Sequence, residues 1–233
     1  MEEDRSGTDR GIEKDDSKVK EMNLNVLAVL AYVLSDNVIA SSKHDAACLQ
    51  DCTCGISKDG RSAIRQIDCR NANYRRMPNT PVNAQKKEKS FSAIRLILSE
   101  NRIDHLDVVF LNQWKSLEVL ILSKNKLKSL SKSTEDVSSM PSLKSLDLSS
   151  NSLQVLHTFV LVGFPSLQIL NISHNQIHTI SEGAFLLPSL HELDLSHNQM
   201  TEAAPHLFDS SPQLHIIRFS HNRVSRLLGN SLS

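Results

Sequence analysis

Residues 191–200 read HELDLSHNQM, and this stretch decides the fold. Asp194, Ser196 and His197 are the three groups of a serine hydrolase, which suggests an active site. The stretch recurs, however, as LQILNISHNQI ending at Ile177, LKSLDLSSNSL at Leu153, LEVLILSKNKL at Leu127, LHIIRFSHNRV at Val224 and, more weakly, AIRLILSENRI at Ile103. A nucleophile is needed once, and no glycine elbow accompanies the serine. Six copies therefore indicate a repeat unit and not a catalytic triad.

The repeat has a nearly constant period. Its asparagines are separated by 24, 26, 24, 23 and 24 residues, at Asn101, Asn125, Asn151, Asn175, Asn198 and Asn222. The surrounding pattern is L-x-x-L-x-L-x-x-N-x-L, the leucine-rich repeat pattern, whose period is roughly 20 to 29 residues. It predicts an α/β-type leucine-rich repeat solenoid, with a curved parallel sheet on the concave face. Loops or short 3₁₀ turns are expected on the convex face.

Each repeat residue has an expected place. Leucines two apart, such as Leu193 and Leu195, face one side of a strand, and stacked strands about 4.8 Å apart bury that side. The asparagine side chain should enter the interior and satisfy backbone groups of neighbouring turns. Ten residues past an asparagine, the positions predicted to pack under the convex side are Leu111, Leu161, Phe185 and Phe208.

All four cysteines precede the repeats, at Cys48, Cys52, Cys54 and Cys69, with the spacing C-x₃-C-x-C-x₁₄-C. A zinc site would more usually pair two C-x-x-C motifs. An even number of cysteines beside an apolar leader favours disulfides in an oxidising compartment. The spacing alone leaves three connectivities open.

Together with RMPNTP, which holds Met77, Pro78 and Pro81, this cluster resembles the cysteine-rich N-terminal cap of extracellular animal leucine-rich repeat proteins. That superfamily includes Slit, Toll-type receptors and the small leucine-rich proteoglycans. The resemblance covers roughly residues 48 to 233. It implies that Cys48 pairs with Cys54, and Cys52 with Cys69. NAQKKEKSFS, residues 83–92, departs from the usual cap by lengthening the link to the first strand.

Four segments follow from these features. Residues 1–40 are a charged leader and signal peptide, with the apolar run LNVLAVLAYVL at 24–34 and a plausible cut after Ala40. Because a signal peptide should begin with a short positive segment, translation from Met22 competes with translation from Met1. Residues 41–82 form the cap, 83–92 the charged link, and 93–233 six repeats without a C-terminal cap. No later apolar run is long enough to span a membrane.

Charge and motifs exclude several functions. Without residues 1–40, the chain has 21 bases and 17 acids out of the original 26 and 26, a net charge of +4. This mild charge does not favour nucleic acid. The sequence has no nucleotide-binding glycine loop and no metal motif, so we expect neither an enzyme nor a cofactor.

The outward strand positions are the expected place for a partner. The predicted partner-binding residues are Ile97, Ile121, Lys124, Asp147, Glu192, Asp194, His197, Arg218 and His221. Asn171-Ile172-Ser173 is the glycosylation sequon, on the exposed face of the fourth strand. His174, His197 and His221 form a column that could be a metal site or a pH sensor, but the sequence favours an ordinary choice of residue before the asparagine.

These features predict a secreted or cell-surface leucine-rich repeat module that mediates extracellular protein–protein interaction, as a ligand, receptor or receptor fragment. One alternative is an extracellular-matrix organiser of the small-proteoglycan type, binding a matrix protein. Another is a cytosolic adaptor or enzyme regulator with free thiols. The open C-terminal end around Leu227 and Leu228 is a candidate surface for self-association, because an unprotected solenoid end exposes strand edge.

Overall fold

A computed structural model describes residues 41–42, 48–59, 62–79, 93–106, 111, 113–130, 140–203 and 206–227. The predicted leader and signal peptide at 1–40 and the link at 83–92 lie outside these residues, as does Leu228. In the part of the chain that the structure describes, no helix has the length and apolarity needed to cross a membrane.

The described residues form thirteen strands. These are β1 (Ser41–Ser42), β2 (Thr53–Asp59), β3 (Ser62–Asp68), β4 (Ala93–Ile97), β5 (Leu117–Ile121), β6 (Ser145–Asp147), β7 (Val155–Leu156), β8 (Ile169–Asn171), β9 (Thr179–Ile180), β10 (Glu192–Asp194), β11 (Glu202–Ala203), β12 (Ile216–Arg218) and β13 (Arg226–Leu227). Nine of them make one sheet in the order β1-β2-β3-β4-β5-β6-β8-β10-β12. β1, β2 and β3 pair antiparallel, and every later pair is parallel. Each repeat contributes one strand to this sheet, which confirms the predicted parallel-sheet solenoid.

Short parallel pairings also occur beyond the asparagine turns, where the sequence predicted loops or 3₁₀ turns. β7 pairs with β9, β11 pairs with β13, and Leu106 bridges to Leu130. These residues lie four or five positions after their asparagines. Because the repeat period is nearly constant, equivalent backbone positions of successive repeats meet in register and form these second ladders.

The repeat leucines form the core, as their alternation predicts. Leu146, Leu148, Leu193 and Leu195 have no accessible surface. Phe185 is also fully buried and stacks on Phe208, with 5.6 Å between ring centroids. The other two predicted packing residues, Leu111 and Leu161, are buried as well.

The asparagines connect neighbouring repeats through an internal ladder. The amide nitrogen of Asn175 donates to the carbonyls of Leu148, Ile172 and Ser173 at 3.0, 3.0 and 3.1 Å. Its amide oxygen accepts the N–H of Leu153, in the preceding repeat, at 3.0 Å. The same pattern repeats at Asn125, Asn151, Asn198 and Asn222. A buried polar side chain is therefore satisfied by backbone groups, as expected from the sequence.

The cysteine cap covers the N-terminal edge of the repeat sheet. Cys48 is bonded to Cys54 and Cys52 to Cys69, the pairing that the resemblance implies. Cys69 directly follows β3, and its backbone N–H donates to the carbonyl of Ile97 at 2.8 Å. By pairing with β4, the cap occupies backbone groups that an open edge strand would expose.

Candidate binding face

The sheet places four polar side chains side by side on its outward face. Asp147, Asn171, Asp194 and Arg218 are register partners on the adjacent strands β6, β8, β10 and β12. Neighbouring parallel strands lie about 4.8 Å apart, so the four side chains form a continuous row. We call this row the polar column. Arg218 is exposed and the other three are half-buried.

Three members of the polar column also stabilise the backbone. The side-chain oxygens of Asp147, Asn171 and Asp194 accept the N–H groups of the residues two positions later, at 2.8, 3.0 and 2.9 Å. These are Asx turns, in which a short oxygen-bearing side chain satisfies the chain as it leaves the strand. For Asp194 the donor is the backbone N–H of Ser196, so the pair resembling a hydrolase motif makes a structural contact.

The column carries opposite charges in a partly buried setting. Burial raises the pKa of the Asp147 carboxyl, hydrogen bonds from Ser149 oppose that rise, and the carboxylate of Asp194 adds to it. Arg218 forms an ion pair with Glu192 on the neighbouring strand. The face therefore presents acids and a base within a few strand spacings, and a partner has to match both signs.

Not every predicted partner-binding residue offers surface to a partner. Ile97 is 3% accessible and Glu192 is 6% accessible, so direct contact with a partner does not fit their placement. The alternation rule placed both on the outward side but did not show how crowded that side is. Ile121 is half-buried, whereas Lys124 is exposed and pairs with Glu100 at 2.8 Å.

The three predicted histidines form a stack beside the polar column. The ring centroids of His174 and His197 are 4.0 Å apart, as are those of His197 and His221, with interplanar angles of 11° and 8°. All three residues are exposed. Parallel rings direct their nitrogen lone pairs in parallel, so they do not converge on one ion. Among the described residues, no group of three or more His, Cys, Asp or Glu side chains could hold a metal ion.

The backbone explains why histidine is tolerated here. His174, His197 and His221 have φ values of 52°, 55° and 57°, in the left-handed region where histidine is enriched. Glu100 and Lys124 occupy the same position and the same region, at 58° and 54°. The positive φ is therefore required by the turn before each asparagine, and the spacing of residues in the sequence could not show this.

Sequence reasoning also missed a second histidine pair. His191 and His215 stack at the opposite end of β10 and β12, with 6.0 Å between ring centroids. Both lie seven residues before their asparagines, so the repeat alignment contained the signal. The pair of strands β10 and β12 is therefore flanked by stacked histidines at both ends.

The sequon lies in the middle of the polar column. The hydroxyl of Ser173 donates to the amide oxygen of Asn171 at 2.7 Å. Asn171 is half-buried, and Ser173 is 6% accessible. A glycan would be attached through the Asn171 amide nitrogen and would extend over this face, but its presence stays a prediction.

Comparisons with known proteins agree with the fold. A family model described as leucine rich repeat matches residues 141–200 and 165–224. Human Toll-like receptor 5 is 37% identical over 94 residues, which cover 38% of this chain and 11% of that receptor. A solved structure titled as the crystal structure of a TLR13–ssRNA13 complex has a TM-score of 0.55 and 25% identity. That match covers 66% of this chain and 21% of the other.

The chain thus spans small parts of both relatives, and their complete activities do not transfer with the match. The matched repeats, the parallel sheet and the disulfide-bonded cap nevertheless fit one another as parts of a capped leucine-rich repeat solenoid. The chain is a leucine-rich repeat solenoid with a disulfide-bonded cysteine cap at the N-terminal end of its repeats, and part of it is similar to Toll-like receptors.

Proposed function

We propose that this protein is a secreted or cell-surface binding module that recognises an extracellular protein through the outward face of its sheet. The polar column carries the proposal, because it places opposite charges in register across four strands. Its relationship to a Toll-like receptor supports a role in binding, and we expect no catalysis. A protein partner fits this face because specific interfaces depend on complementary charge patterns.

Disulfide bonding supports the extracellular location. All four cysteines of the chain are paired, and disulfides persist in oxidising compartments. Expression of the full chain in cultured animal cells tests this point directly. We expect the protein in the medium, with oxidised cysteines and an N-terminus near Ser41. Recovery of intact cytosolic protein whose cysteines react with an alkylating agent would favour the cytosolic alternative.

A test of the binding face requires variants that keep the backbone hydrogen bonds of the Asx turns. Asp194→Asn keeps the oxygen that accepts the Ser196 N–H and removes only the charge. Arg218→Gln removes the opposite charge of the column. Asp209→Asn, an exposed acid outside the strands, is a matched control for a lost carboxylate. With fluorescently labelled protein on animal cells, we expect each column variant to weaken binding by about 1 to 3 kcal/mol, and the control to have little effect.

The sequon gives a second, independent probe of the same face. Asn171→Asp keeps the oxygen acceptor and removes the attachment site, while Ser173→Ala removes the sequon without adding charge. If a glycan covers the column, both variants should bind cells more strongly than the parent protein. Unchanged binding by these variants and by both column variants would exclude this face as the site.

A further inference from the structure

A second surface lies beside the polar column, where the chain turns at each asparagine. We define the turn ridge as the residues one before, one after and three after Asn125, Asn151, Asn175, Asn198 and Asn222. None of these fifteen residues is Asp or Glu, and eight are Lys, Arg or His. The first repeat differs, because Glu100 and Asp104 occupy the equivalent positions. The ridge is therefore an acid-free strip that begins at the second repeat.

The backbone of this strip is fixed from both sides. In the first four rows of the ridge, the N–H of the residue before the asparagine donates to a serine carbonyl of the next repeat, as His174 does to Ser196 at 2.9 Å. The N–H of each residue after the asparagine donates to the preceding repeat, as Lys126 does to Ile103 at 2.8 Å. Because these hydrogen bonds use only backbone atoms, the side chains of the ridge are free of any role in forming the turn.

The exposed side chains carry two kinds of positive group. Lys126, Lys128 and Arg223 are exposed and permanently charged. Between them lies the histidine stack, whose charge depends on pH. We propose that the turn ridge binds an acidic segment of a protein partner, and that protonation of the histidine stack strengthens this binding as the pH falls. The inference rests on the proposed binding function but uses a different surface.

The chemistry of the ridge favours carboxylates over a nucleic acid. Single-stranded nucleic acids bind grooves that combine dense basic charge with aromatic faces on which bases stack. The ridge has no Phe, Tyr or Trp, and its rows at Asn151, Asn175 and Asn198 hold no Lys or Arg. Both faces of the His197 ring are covered by its neighbours at 4.0 Å, so only ring edges remain for a ligand. Ring-edge N–H groups donate hydrogen bonds to carboxylates.

The dimensions suit a short extended peptide. Five adjacent strands at about 4.8 Å spacing give a strip about 19 Å long, which about six residues of extended chain would span. Side-chain amides and hydroxyls at Ser152, Gln176 and Gln199 lie between the charged groups. They offer further hydrogen bonds to a peptide backbone.

The surroundings of the stack define its response to acid. Loss of solvent between its neighbours lowers the pKa of the His197 imidazole, and His174 and His221 lower it further. The carboxylate of Asp194 acts in the opposite direction. The fixed charges of the ridge are Arg223, two residues after His221, then Lys126 and Lys128, and finally Lys124, which pairs with Glu100 at 2.8 Å. The neutral form of His197 thus predominates at neutral pH, and its protonation in acid adds positive charge to the ridge.

A defined acidic peptide tests the proposal. The probe is a fluorescein-labelled ten-residue peptide of alternating Glu and Asp, measured by anisotropy with the full chain at pH 7.4 and 5.5. We expect binding at both pH values and affinity about fivefold higher at pH 5.5. Lys126→Gln with Lys128→Gln should lower affinity about three- to tenfold at both pH values. Arg75→Gln with Arg76→Gln removes the same charge from exposed cap residues and should change affinity less than twofold.

The histidines need a variant that the backbone accepts. Asparagine tolerates a positive φ, so replacing His174, His197 and His221 by Asn removes the imidazoles and leaves the turns intact. This triple variant should bind the peptide at pH 7.4 as the parent does and lose the increase at pH 5.5. An equal increase in the triple variant, or equal losses in the lysine and arginine pairs, would overturn the proposal.

Two competing probes complete the test. A sulfated oligosaccharide or a single-stranded RNA that binds the ridge more tightly than the peptide would overturn the assignment to an acidic protein segment. The column variants Asp194→Asn and Arg218→Gln should leave peptide binding unchanged. Failure of the ridge variants alone therefore rejects this inference, whereas failure of the column variants on cells rejects the proposed function.

Discussion

The asparagine ladder allows a quantitative test of what holds successive repeats together. Asn175 is 7% accessible, and replacing it by Ala removes three donated hydrogen bonds and one accepted bond. The N–H of Leu153 and the three carbonyls that accepted hydrogen bonds from Asn175 then lie in a buried site that water does not reach easily. Leaving a buried backbone group unsatisfied costs about 1 to 3 kcal/mol. Each of the three carbonyls keeps a second donor, because Leu148 still accepts from Asn151, Ile172 from Asn198, and Ser173 from the N–H of Ser150. The N–H of Leu153 is therefore the group left unsatisfied. With about 1 kcal/mol more for the lost bonds to the carbonyls, we expect Asn175→Ala to destabilise the protein by about 2 to 4 kcal/mol.

Asn222 is the matched control, because it makes the same contacts at a different depth. Its oxygen accepts the N–H of Met200 at 3.1 Å, and its nitrogen donates to Leu195 and Phe219 at 2.9 and 3.1 Å. Asn222 is half-buried, so water can replace the lost partners. Asn222→Ala should therefore cost about 1 kcal/mol, in the range of an ordinary hydrogen bond.

A third variant separates donation from acceptance. Asn175→Asp keeps an oxygen for the N–H of Leu153 but turns a second oxygen toward three carbonyls. If donation by the amide nitrogen matters, this variant should be at least as destabilised as Asn175→Ala.

Urea unfolding gives the required measurement. Trp114 is the single tryptophan of the chain and is fully buried, so its fluorescence reports on the first repeat. Far-ultraviolet circular dichroism reports on the whole sheet, and coincidence of the two transitions tests whether the repeats unfold together. Equal losses at Asn175 and Asn222, or a parent-like Asn175→Asp variant, would refute the account of the ladder.

Three further predictions concern stability, the first two measured by urea unfolding and the third by thermal melting. Loop-closure entropy predicts a loss of about 3 kcal/mol for Cys52→Ser and about 2 kcal/mol for Cys48→Ser; equal effects would contradict that origin. Phe185→Ala should cost about 3 to 5 kcal/mol and Phe208→Ala clearly less, since only Phe185 is fully buried; the reverse order would contradict the packing. Because the folded-state pKa of His197 is lowered, the unfolded chain takes up the proton first, and stability should fall as the pH drops below about 6.5. Melting curves at pH 7.5 and 5.5 should show a smaller fall for His197→Asn, and an identical fall would exclude this residue as the cause.

Much of this fold could be predicted because each repeat places the same residue in the same environment. Leu193 and Leu195 show the strand alternation, and Asn198 marks the turn after the strand. Nothing in one repeat reveals how its backbone meets the next. The second ladder, in which β7 pairs with β9, forms only when equivalent residues of two successive repeats meet in register. This depends on how the repeats stack and cannot be read from either segment alone.

The binding face was less predictable for a related reason. Alternation placed Asp194 and Glu192 on the outward side, but it could not distinguish their accessibility. Glu192 is buried and forms an ion pair with Arg218, while Asp194 also holds the N–H of Ser196. Pattern shows which side a residue faces, whereas packing decides how much of that residue a partner can reach.

The position before each asparagine illustrates how fold and function can be separated in a repeat protein. The turn requires a positive φ there, which Glu100, Lys124 and His197 all adopt. Since such different side chains satisfy the same backbone, the fold does not require imidazole at this position. Three consecutive repeats nevertheless have histidine, and their rings stack at 4.0 Å. Because the backbone allows histidine at this position without requiring it, the three histidines are available for a binding function. For that reason, the pH-dependent binding of the turn ridge should be tested.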